Sequence, residues 1–303
     1  MIRPVQSLSI VIPTLGRERV LLETVGSLLE LPTRAAKLFV VDQTPTHEPT
    51  TEKQLDDWDR ENLIEWIRLE RPSITRSMNH GLRLADTPLV LFLDDDIRPR
   101  GDLVLEHARE HGEHEDLWAT VGQVIQPWQS AEELLPPRRL KGLRKDEDFP
   151  FHAVGNWELE NVMAGNLCVN RERVLSIGGF DENFVGSAFR FETEFARRVS
   201  KASGKIRFLG SAGIDHLRVE TGGTRTRGSH LTSASPAHGV GDHYYAMLHA
   251  NSSIESMTYC IRRVFREVRT KFHMTHPWWI PVKLTGEVRA YFAARRLIRK
   301  RDR

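Results

Sequence analysis

The sequence has few cysteines and no long apolar run. Its 303 residues include two cysteines, Cys168 and Cys260, which are too few for a disulfide framework or a zinc cluster and which fit a reducing compartment. No stretch approaches the roughly 18 apolar residues that cross a bilayer. The first apolar run, LSIVIP, is too short for a signal sequence. We therefore expect a cytoplasmic protein, with peripheral attachment to the inner face of the membrane left open.

Charge is distributed unevenly along the chain. The formal net charge is +2, yet residues 259–303 contain 13 Lys or Arg against 3 Asp or Glu, so this segment carries +10 and the rest about −8. A basic end on a mildly acidic body predicts contact with an anionic surface, either a phosphate-rich ligand or lipid headgroups. Because the positive charge is confined to one segment, we expect no nucleic-acid partner.

The first hundred residues alternate between strand and helix patterns. Helical spacing predicts helices over 17–29 and 73–84. Continuous apolar runs rich in β-branched residues predict strands covered on both faces, at 8–12, 38–41, 64–69 and 89–93. This βαβαβαβ order predicts an α/β fold with a mostly parallel sheet and helices on both faces, in which ligands bind at the carboxyl ends of the strands.

The rest of the sequence is less regular. It predicts a helix over 102–112, a strand over 117–125, a surface loop over 127–150 and a helix over 191–203. The length and the hydrophobic content of 40% fit one large domain with an extension. We expect a main domain at 1–250 and a basic helical tail at 251–303.

Three consecutive acids, Asp94 to Asp96, directly follow the fourth predicted strand. Buried carboxylates need a cation or hydrogen bonds to compensate their lost hydration, and Mg²⁺ or Mn²⁺ prefers such oxygen ligands. The ordinary alternative is that the acids cap a turn, with Arg98 and Arg100 as partners. Asp42 ends the second strand of the same sheet and should converge on the same crevice, which favours a ligand site.

Seven segments, taken in order, resemble a known family: SIVIPTLGR, FVVDQT, TRSMNHGL, LVLFLDDDIRP, AGNLCVNRERVLSIGGFDENF, FRFETEFARRV and GIDH. Their order and spacing, from about residue 8 to 216, resemble those of the family 2 glycosyltransferases, which have the nucleotide-diphospho-sugar transferase fold called GT-A. The resemblance implies a donor half at about 1–125 and an acceptor half at about 126–250. It also implies an inverting, metal-dependent transfer of a hexosyl or deoxyhexosyl group in polysaccharide or glycoconjugate biosynthesis.

The resemblance implies a set of residues that bind the nucleotide-sugar donor, at Pro13, Thr14, Asp42, Arg76, Asn79, Asp94 and Asp95. The first two would lie beside the base, which Asp42 would hydrogen-bond, while Asp96 would hold Mg²⁺ or Mn²⁺. The sequence departs from the family pattern at Met78, where relatives often have a second Arg. It also departs after Asp42, where Gln43 and Thr44 replace the usual residues, so the identity of the base is not readable.

Two further signals follow a strand pattern at 206–209. His216 matches a position where relatives often have a histidine that faces the metal or the diphosphate, and the ordinary alternative is a packed or surface histidine. The segment GGTRTR then begins at Gly222, and its glycines permit close backbone approach to a ligand. Thr224 and Arg225 offer phosphate donors there, unless the segment is only a polar linker.

The segment FRFETEFARR carries two candidate catalytic residues. By resemblance, Glu192 stands at the position of the base that takes the acceptor proton, with Glu194 as a supporting acid and a competitor for that role. Family members usually have Asp at the base position with an acid before it, whereas Phe191 precedes Glu192 here. Without the resemblance, both glutamates would read as the solvated face of a helix.

The basic end of the chain predicts an amphipathic helix from Tyr259, followed by Trp278 and Trp279 between prolines. Such a helix beside aromatic residues is typical of peripheral membrane binding, in which case the acceptor would be lipid-linked rather than a free saccharide. The alternative is a helix packed on the domain. Two other functions stay open: a sugar nucleotidyltransferase, and a non-catalytic nucleotide-sugar-binding protein of the same fold.

Overall fold

The computed structural model describes residues 6–134, 142–144, 149–219, 222–223 and 229–301. The chain divides into two compact units. The first comprises residues 1–138, 148–180 and 195–223, and the second comprises residues 139–147, 181–194 and 224–303. The second unit therefore includes more of the chain than the basic tail expected at 251–303.

Within the described residues there are eleven strands: β1 Leu8–Thr14, β2 Lys37–Asp42, β3 Glu65–Arg68, β4 Leu89–Leu93, β5 Ile97–Pro99, β6 Leu117–Ile125, β7 Glu132–Glu133, β8 Ala153–Val154, β9 Asn156–Leu159, β10 Asn166–Asn170 and β11 Lys205–His216. Nine of them form the sheet of the first unit in the order β3-β2-β1-β4-β10-β6-β11-β5, with β9 also paired to β11. Six of these nine run in one direction, because β10 is antiparallel to both β4 and β6 while β6 and β11 are parallel. The predicted mostly parallel sheet is confirmed.

The central strands are apolar because both of their faces are covered. Every residue of β1 and β4 is buried, as the continuous apolar runs predict. In the parallel register of β1 with β2, Thr14 lies opposite Asp42, and β4 pairs with β1 on its other side. The carboxyl ends of these three strands therefore lie along one edge of the sheet, where ligands bind in such folds.

The described residues also contain ten helices: α1 Arg19–Leu29, α2 Pro49–Arg60, α3 Ile74–Leu84, α4 Leu103–Glu113, α5 Arg171–Ser176, α6 Phe191–Lys201, α7 Val240–His249, α8 Ser253–Val268, α9 Lys271–Thr275 and α10 Ile280–Arg301. The hydroxyl of Ser73 caps α3 by accepting a hydrogen bond from the backbone N–H of Arg76. A Cβ at Gly81 would collide with Val11, so only glycine lets α3 approach β1 this closely.

Two segments differ from the sequence prediction. The sequence predicts a loop over 127–150, yet β7 lies within this range and pairs with β8, and a short 3₁₀ turn forms at Gly142–Arg144. Strand β11 runs to His216, well beyond the predicted 206–209, and its register with β6 shifts between Leu209 and Gly213. Strand β11 therefore contains an irregularity that a hydrophobic pattern does not reveal.

The second unit has charged residues in its interior. Arg263 on α8 is 3% exposed, and its guanidinium contacts Asp242 and lies 2.9 Å from a carboxylate oxygen of Glu287. The ammonium of Lys283 on α10 lies 2.9 Å from Glu287 and 3.1 Å from Glu267. Although burial favours the neutral acid, the charges of nearby arginines hold the pKa of Asp242 below its ordinary value. In this way α7, α8 and α10 are joined by paired buried charges.

A helix crosses a bilayer only if it has about 20 mostly apolar residues. Helix α10 is the longest described, with 22 residues, but it carries many charged side chains. No helix within the described residues is both long and apolar enough to cross a membrane.

Two buried histidines of α4 should make the protein sensitive to acid. The ring of His107 is fully buried between Thr120, at 2.7 Å, and Asn166, at 3.0 Å, and burial lowers its pKa to about 4. Burial likewise lowers the pKa of His111 to about 3. Below about pH 6.5 these two histidines become protonated in the unfolded chain but stay neutral in the folded protein. The free energy of unfolding therefore falls as the pH falls from about 6.5 toward the pKa values of the folded state.

We therefore expect the free energy of unfolding to fall by about 1.4 kcal/mol per pH unit for each of these histidines below pH 6. Urea unfolding between pH 7 and pH 5 measures this slope. His107→Gln keeps a polar side chain without the titration and should reduce the slope, while His230→Gln, on an exposed residue, should leave it unchanged. An identical slope in wild type and His107→Gln would contradict this account.

Candidate functional site

The three acids lie directly after β4, at the edge where β1 and β2 also end. Asp95 and Asp96 are buried, whereas the side chain of Asp94 is 44% exposed. The backbone N–H of Asp94 donates to the carbonyl of Gly165, 3.3 Å away. Three adjacent carboxylates at a buried strand end repel one another, so the site depends on the cations and donors that surround it.

Arg17 is the main internal partner of this acid triplet. Its Nε lies 3.0 Å from Asp95 Oδ1 and its Nη2 lies 2.9 Å from Asp96 Oδ2. The hydroxyl of Thr14 donates to the other oxygen of Asp95, at 2.8 Å. Arg17 was not among the site residues predicted from the sequence, although the segment SIVIPTLGR contains it.

These contacts affect the two buried acids differently. Burial raises the pKa of Asp95 to about 6, against the opposing effects of Arg17 and Thr14. Burial also favours the neutral form of Asp96, but the hydrogen bond and charge of His216, together with Arg17 and the N–H of Val219, hold its pKa below the ordinary value. Of these two acids, Asp96 therefore keeps its negative charge to the lower pH, which suits a metal ligand.

Asp94, Asp96 and His216 form a group that could hold a metal ion. Their nearest ligand atoms all lie within 4.8 Å of one another, with His216 Nε2 3.1 Å from Asp96 Oδ1 and 3.9 Å from Asp94 Oδ2. The other ring nitrogen of His216 lies 3.0 Å from Oε1 of Gln126, which fixes the orientation of the ring. Two carboxylates and one imidazole form a donor set that fits Mn²⁺ or Mg²⁺.

The opposite oxygen of Asp96 is used by the protein. Asp96 Oδ2 accepts hydrogen bonds from Arg17 and from the backbone N–H of Val219, at 3.2 Å. Oδ1 is thereby directed toward His216. Oδ2 of Asp96 is therefore occupied by donors of the protein, whereas Oδ1 faces His216 and is the oxygen that could bind a metal ion.

Asp42 at the end of β2 is fully buried and has three internal donors. Its Oδ1 accepts from the backbone N–H of Thr44 at 2.8 Å, and its Oδ2 lies 2.7 Å from His47 Nε2 and 3.0 Å from Trp66 Nε1. The other nitrogen of His47 lies 3.1 Å from Glu18. A contact between Asp42 and the nucleotide base stays a prediction, and its partners His47 and Trp66 were not predicted from the sequence.

The remaining predicted donor residues lie on β1 and α3. Pro13 and Thr14 are the last two residues of β1, and Arg76 is exposed on the first turn of α3. Asn79 is buried, and its amide both donates to the carbonyl of Phe180 and accepts from its N–H, each at 2.8 Å. The structure thus gives Asn79 a packing role, and its contact with a donor stays a prediction.

The glycines after β11 approach β1 closely. Gly222 and Gly223 have φ values of 82° and 57°, and the N–H of Gly223 donates to the carbonyl of Leu15 at 2.7 Å. A Cβ at Gly222 would collide with the carbonyl of Gly16. Thr224 and Arg225, predicted to contact phosphate, lie outside the described residues.

Glu192 and Glu194 lie in the first turn of α6, within the second unit. Glu192 is half-buried, whereas Glu194 is buried, with an oxygen 3.7 Å from Nε2 of His249. Arg190, just before them, has a left-handed φ of 76° and an ion pair with Asp242 at 3.3 Å. A strained backbone held by a buried ion pair fixes the start of α6 and with it both glutamates.

Comparison with known proteins identifies the family. Residues 9–157 match the family model described as glycosyl transferase family 2, a range that includes β1, Asp42 and the acid triplet. The chain belongs to glycosyl transferase family 2 through this region. Glu192 and His216 lie beyond the matched residues. Among curated proteins, no sequence matches this chain.

Solved structures of glycosyltransferases share the fold. S. aureus TarS 1–349 in complex with UDP-GlcNAc has a TM-score of 0.59 at 15% identity, covering 84% of this chain and 69% of its own. The mannosyltransferase PcManGT from Pyrobaculum calidifontis, in complex with GDP-Man and Mn²⁺, has a TM-score of 0.56 at 15% identity. The match covers 99% of this chain and 80% of PcManGT. GalNAc-T7 with UDP, GalNAc and Mn²⁺ has a TM-score of 0.56 at 16% identity. The match covers 70% of this chain and 43% of GalNAc-T7, so this chain spans less than half the length of that protein.

At these identities the structural likeness establishes the fold, which is GT-A, while the family match establishes the class of enzyme. The protein is a glycosyltransferase. The predictions of family, fold and enzyme class made from the sequence are confirmed. The individual site residues stay predictions, which experiments on this glycosyltransferase can decide.

Gly165 offers a direct test of Asp94 as a metal ligand. A Cβ at residue 165 would collide with the Asp94 carboxylate, so Gly165→Ala should turn this side chain away from Asp96 and His216. We expect the affinity for Mn²⁺, measured from the electron paramagnetic resonance of free Mn²⁺, to fall about 10- to 100-fold, the range found when the support of a metal ligand is lost. Gly26→Ala on α1 is the matched control, because its Cβ meets nothing within 4 Å. Unchanged Mn²⁺ affinity in a folded Gly165→Ala protein would exclude Asp94.

Proposed function

We propose that this glycosyltransferase is inverting and metal-dependent, and that it moves a hexosyl or deoxyhexosyl group from a nucleotide sugar to a saccharide or lipid-linked acceptor in polysaccharide or glycoconjugate biosynthesis. The observation that carries the proposal is the group of Asp94, Asp96 and His216 at the carboxyl end of β4, beside the ends of β1 and β2. This is the edge where nucleotides bind in doubly wound sheets.

The donor would lie along this edge. Pro13, Thr14 and Asp42 lie at the ends of β1 and β2 and are proposed to hold the nucleoside, with Arg76 reaching it from α3. UDP, GDP-Man and UDP-GlcNAc are bound in the structural neighbours, which supports a nucleoside diphosphate sugar as the class of donor. Thr224 and Arg225 are proposed to contact its diphosphate.

Asp96 and His216 are the residues proposed to hold Mg²⁺ or Mn²⁺, with Asp94 as a third ligand. Mn²⁺ is bound in two of the structural neighbours, which supports a divalent ion here. When bound, such an ion stabilises the negative charge that develops on the leaving diphosphate. Gln126 holds the imidazole with Nε2 toward Asp96, and Arg17 holds Asp96 with Oδ1 toward the imidazole.

The base that takes the acceptor proton is proposed to be Glu192. The acceptor hydroxyl attacks the anomeric carbon, its proton passes to the carboxylate, and the nucleoside diphosphate leaves from the opposite face of the sugar, which inverts the configuration. Glu192 is half-buried, so a hydroxyl can approach it, whereas Glu194 is buried near His249 and is better suited to support the helix.

A membrane surface is the partner proposed for the second unit. The side of α8 opposite the buried Arg263 exposes four large apolar side chains: Ile254, Met257, Ile261 and Phe265, which are between 47 and 79% exposed. We call these four residues the α8 apolar stripe. Burying them in water-free surroundings would be favourable, and an uncovered stripe of this size on one helix indicates a contact surface.

Positive charge beside the stripe favours anionic lipid as its occupant. Arg262 is exposed, and the guanidinium of Arg269 lies 5.7 Å from the ring of Phe265. Trp278, which is also exposed, belongs to the same unit and is a residue type enriched at membrane interfaces. Apolar side chains bordered by arginines match the acyl boundary and the phosphate layer of a bilayer. Attachment of this kind would present the enzyme to a lipid-linked acceptor.

Two substitutions separate donor binding from transfer. Asp96→Ala removes the proposed metal ligand, so Mn²⁺-dependent binding of the donor should weaken by more than about 100-fold, beyond the typical loss for a supporting residue. Glu192→Gln keeps the shape but removes the base, so kcat should fall about 10²- to 10⁴-fold while donor affinity is unchanged. Calorimetric titration with UDP-, GDP-, ADP- and dTDP-sugars, each with and without Mn²⁺, identifies the donor and measures its affinity.

Glu194→Gln is the matched control for the base. If Glu192→Gln stayed fully active while Glu194→Gln lost transfer, the assignment of the base would be wrong. If no nucleotide sugar bound to the wild type in the presence of Mn²⁺, the metal-dependent mechanism itself would fail.

Co-sedimentation of the full chain with vesicles tests the α8 apolar stripe. Because burying an Ile or Phe side chain is worth about 1.5–3 kcal/mol, Ile261→Asn and Phe265→Asn should each weaken partition onto phosphatidylglycerol vesicles about tenfold or more. Leu84→Asn, on another exposed apolar residue, should leave partition unchanged. Equal partition onto phosphatidylglycerol and neutral phosphatidylcholine, or equal partition of all variants, would reject this surface; concentration-dependent dimerisation lost in both stripe variants would assign it to a second copy of the chain.

A further inference from the structure

An exposed tryptophan and an arginine form a platform close to the metal-ligand group of the first unit. Trp128 lies three residues beyond the end of β6 and is 62% exposed. The guanidinium carbon of Arg218, two residues beyond the end of β11, lies 4.3 Å from the centre of the indole ring. At this distance the guanidinium lies against one face of the ring, and both side chains are exposed, so the rest of the indole and the N–H groups of Arg218 are accessible to a ligand.

The backbone holds Arg218 in this position against its own preference. Its φ of 52° is a left-handed conformation that a residue with a long side chain rarely adopts. The residues on either side are both fixed to Asp96, since Leu217 N–H donates to its carbonyl at 2.8 Å and Val219 N–H donates to its carboxylate at 3.2 Å. Backbone strain that is maintained beside a proposed metal ligand indicates a functional reason for it.

Within the described residues, the guanidinium of Arg218 has no hydrogen bond or ion pair of its own, only the contact with Trp128. Arg218 is held next to an aromatic ring, and its N–H donors are unused by the described residues. Its guanidinium can therefore bind an anion through two hydrogen bonds, in bidentate geometry.

The order of strands places this platform on the side of the acids that lies away from β1 and β2. In the sheet, β1, β2 and β3 lie on one side of β4, and β6 and β11 lie on the other. The proposed nucleoside residues follow β1 and β2, whereas Trp128 follows β6 and Arg218 follows β11. Gln126, two residues before Trp128, contacts His216 directly. The platform is therefore separated from the nucleoside end by the metal-ligand group, where the reacting sugar is expected.

We infer that Trp128 and Arg218 form an acceptor subsite for a sugar ring that carries an anionic group, with the indole stacking on the apolar face of the ring and the guanidinium binding the anion. The inference rests on the proposed function, because it assumes an acceptor that approaches from this side. A uronic acid carboxylate and a sugar phosphate share the required chemistry. A neutral sugar would use the indole alone.

Saturation-transfer NMR on the full chain tests the subsite with three probes: methyl glucoside, methyl glucuronoside and methyl glucoside 6-phosphate. One of the two charged probes, or both, should bind about two- to fivefold more tightly than the neutral one, the gain expected from an accessible ion pair. Which charged probe gains affinity distinguishes carboxylate from phosphate. Arg218→Gln should reduce the charged probes to the level of the neutral probe, and Trp128→Leu should weaken all three.

Matched controls are Arg19→Gln and Phe292→Leu, which alter an exposed arginine and an exposed aromatic residue elsewhere and should change nothing. Equal binding of the charged and neutral probes to the wild type would overturn the inference. Unchanged binding of all three probes in folded Arg218→Gln and Trp128→Leu would also overturn it. Titration of the same samples with donor and Mn²⁺ separates this result from the proposed function: retained donor binding with no sugar contact rejects the subsite alone, and loss of donor binding in wild type rejects the proposed function as well.

Discussion

The pairing of Arg17 with Asp95 and Asp96 is the interaction on which the rest of the site depends. Two adjacent carboxylates buried at the end of β4 would repel each other and lose their hydration, a cost of several kcal/mol without compensation. A single guanidinium contacts one oxygen of each acid and is itself nearly buried. Because Arg17 occupies Oδ2 of Asp96, Oδ1 is directed toward His216. The ion pair that compensates the buried negative charge therefore also determines which oxygen faces a ligand.

The sequence predicted the framework of this site but not its internal chemistry. Buried parallel strands are continuous apolar runs, so β1, β2 and β4 could be located and their polar ends assigned to one edge. Arg17 and Trp66 could not be assigned, because each meets its acid only after the chain has folded and lies 24 or more positions from it in the sequence. His47 lies five positions from Asp42, but its other partner, Glu18, is 29 positions away. Nothing in the spacing of these residues predicts such pairs.

Helix α8 shows a different limit of sequence patterns. The sequence predicts an amphipathic helix from Tyr259 that either binds a membrane or packs on the domain with its basic side in solvent. The structure buries Arg263, because Asp242 and Glu287 supply two carboxylates that compensate its desolvation. Ile261 and Phe265 lie on the opposite side and are exposed. A charged residue can therefore be buried when other helices provide its partners. The pattern of hydrophobic residues alone does not determine which face of such a helix is buried.

The irregularity of β11 connects the metal-ligand group to the rest of the sheet. Leu209 pairs with Gly122 and Gly213 pairs with Gln123, so three residues of β11 have no counterpart on β6. Because side chains alternate between the two faces of a strand, an odd number of extra residues reverses the faces for everything that follows, including His216. A Cβ at Gly122 would collide with the carbonyl of Ala212, one of these extra residues, so glycine is required on the facing strand. The orientation of His216 toward Asp96 thus depends on a glycine of β6 that touches neither of them.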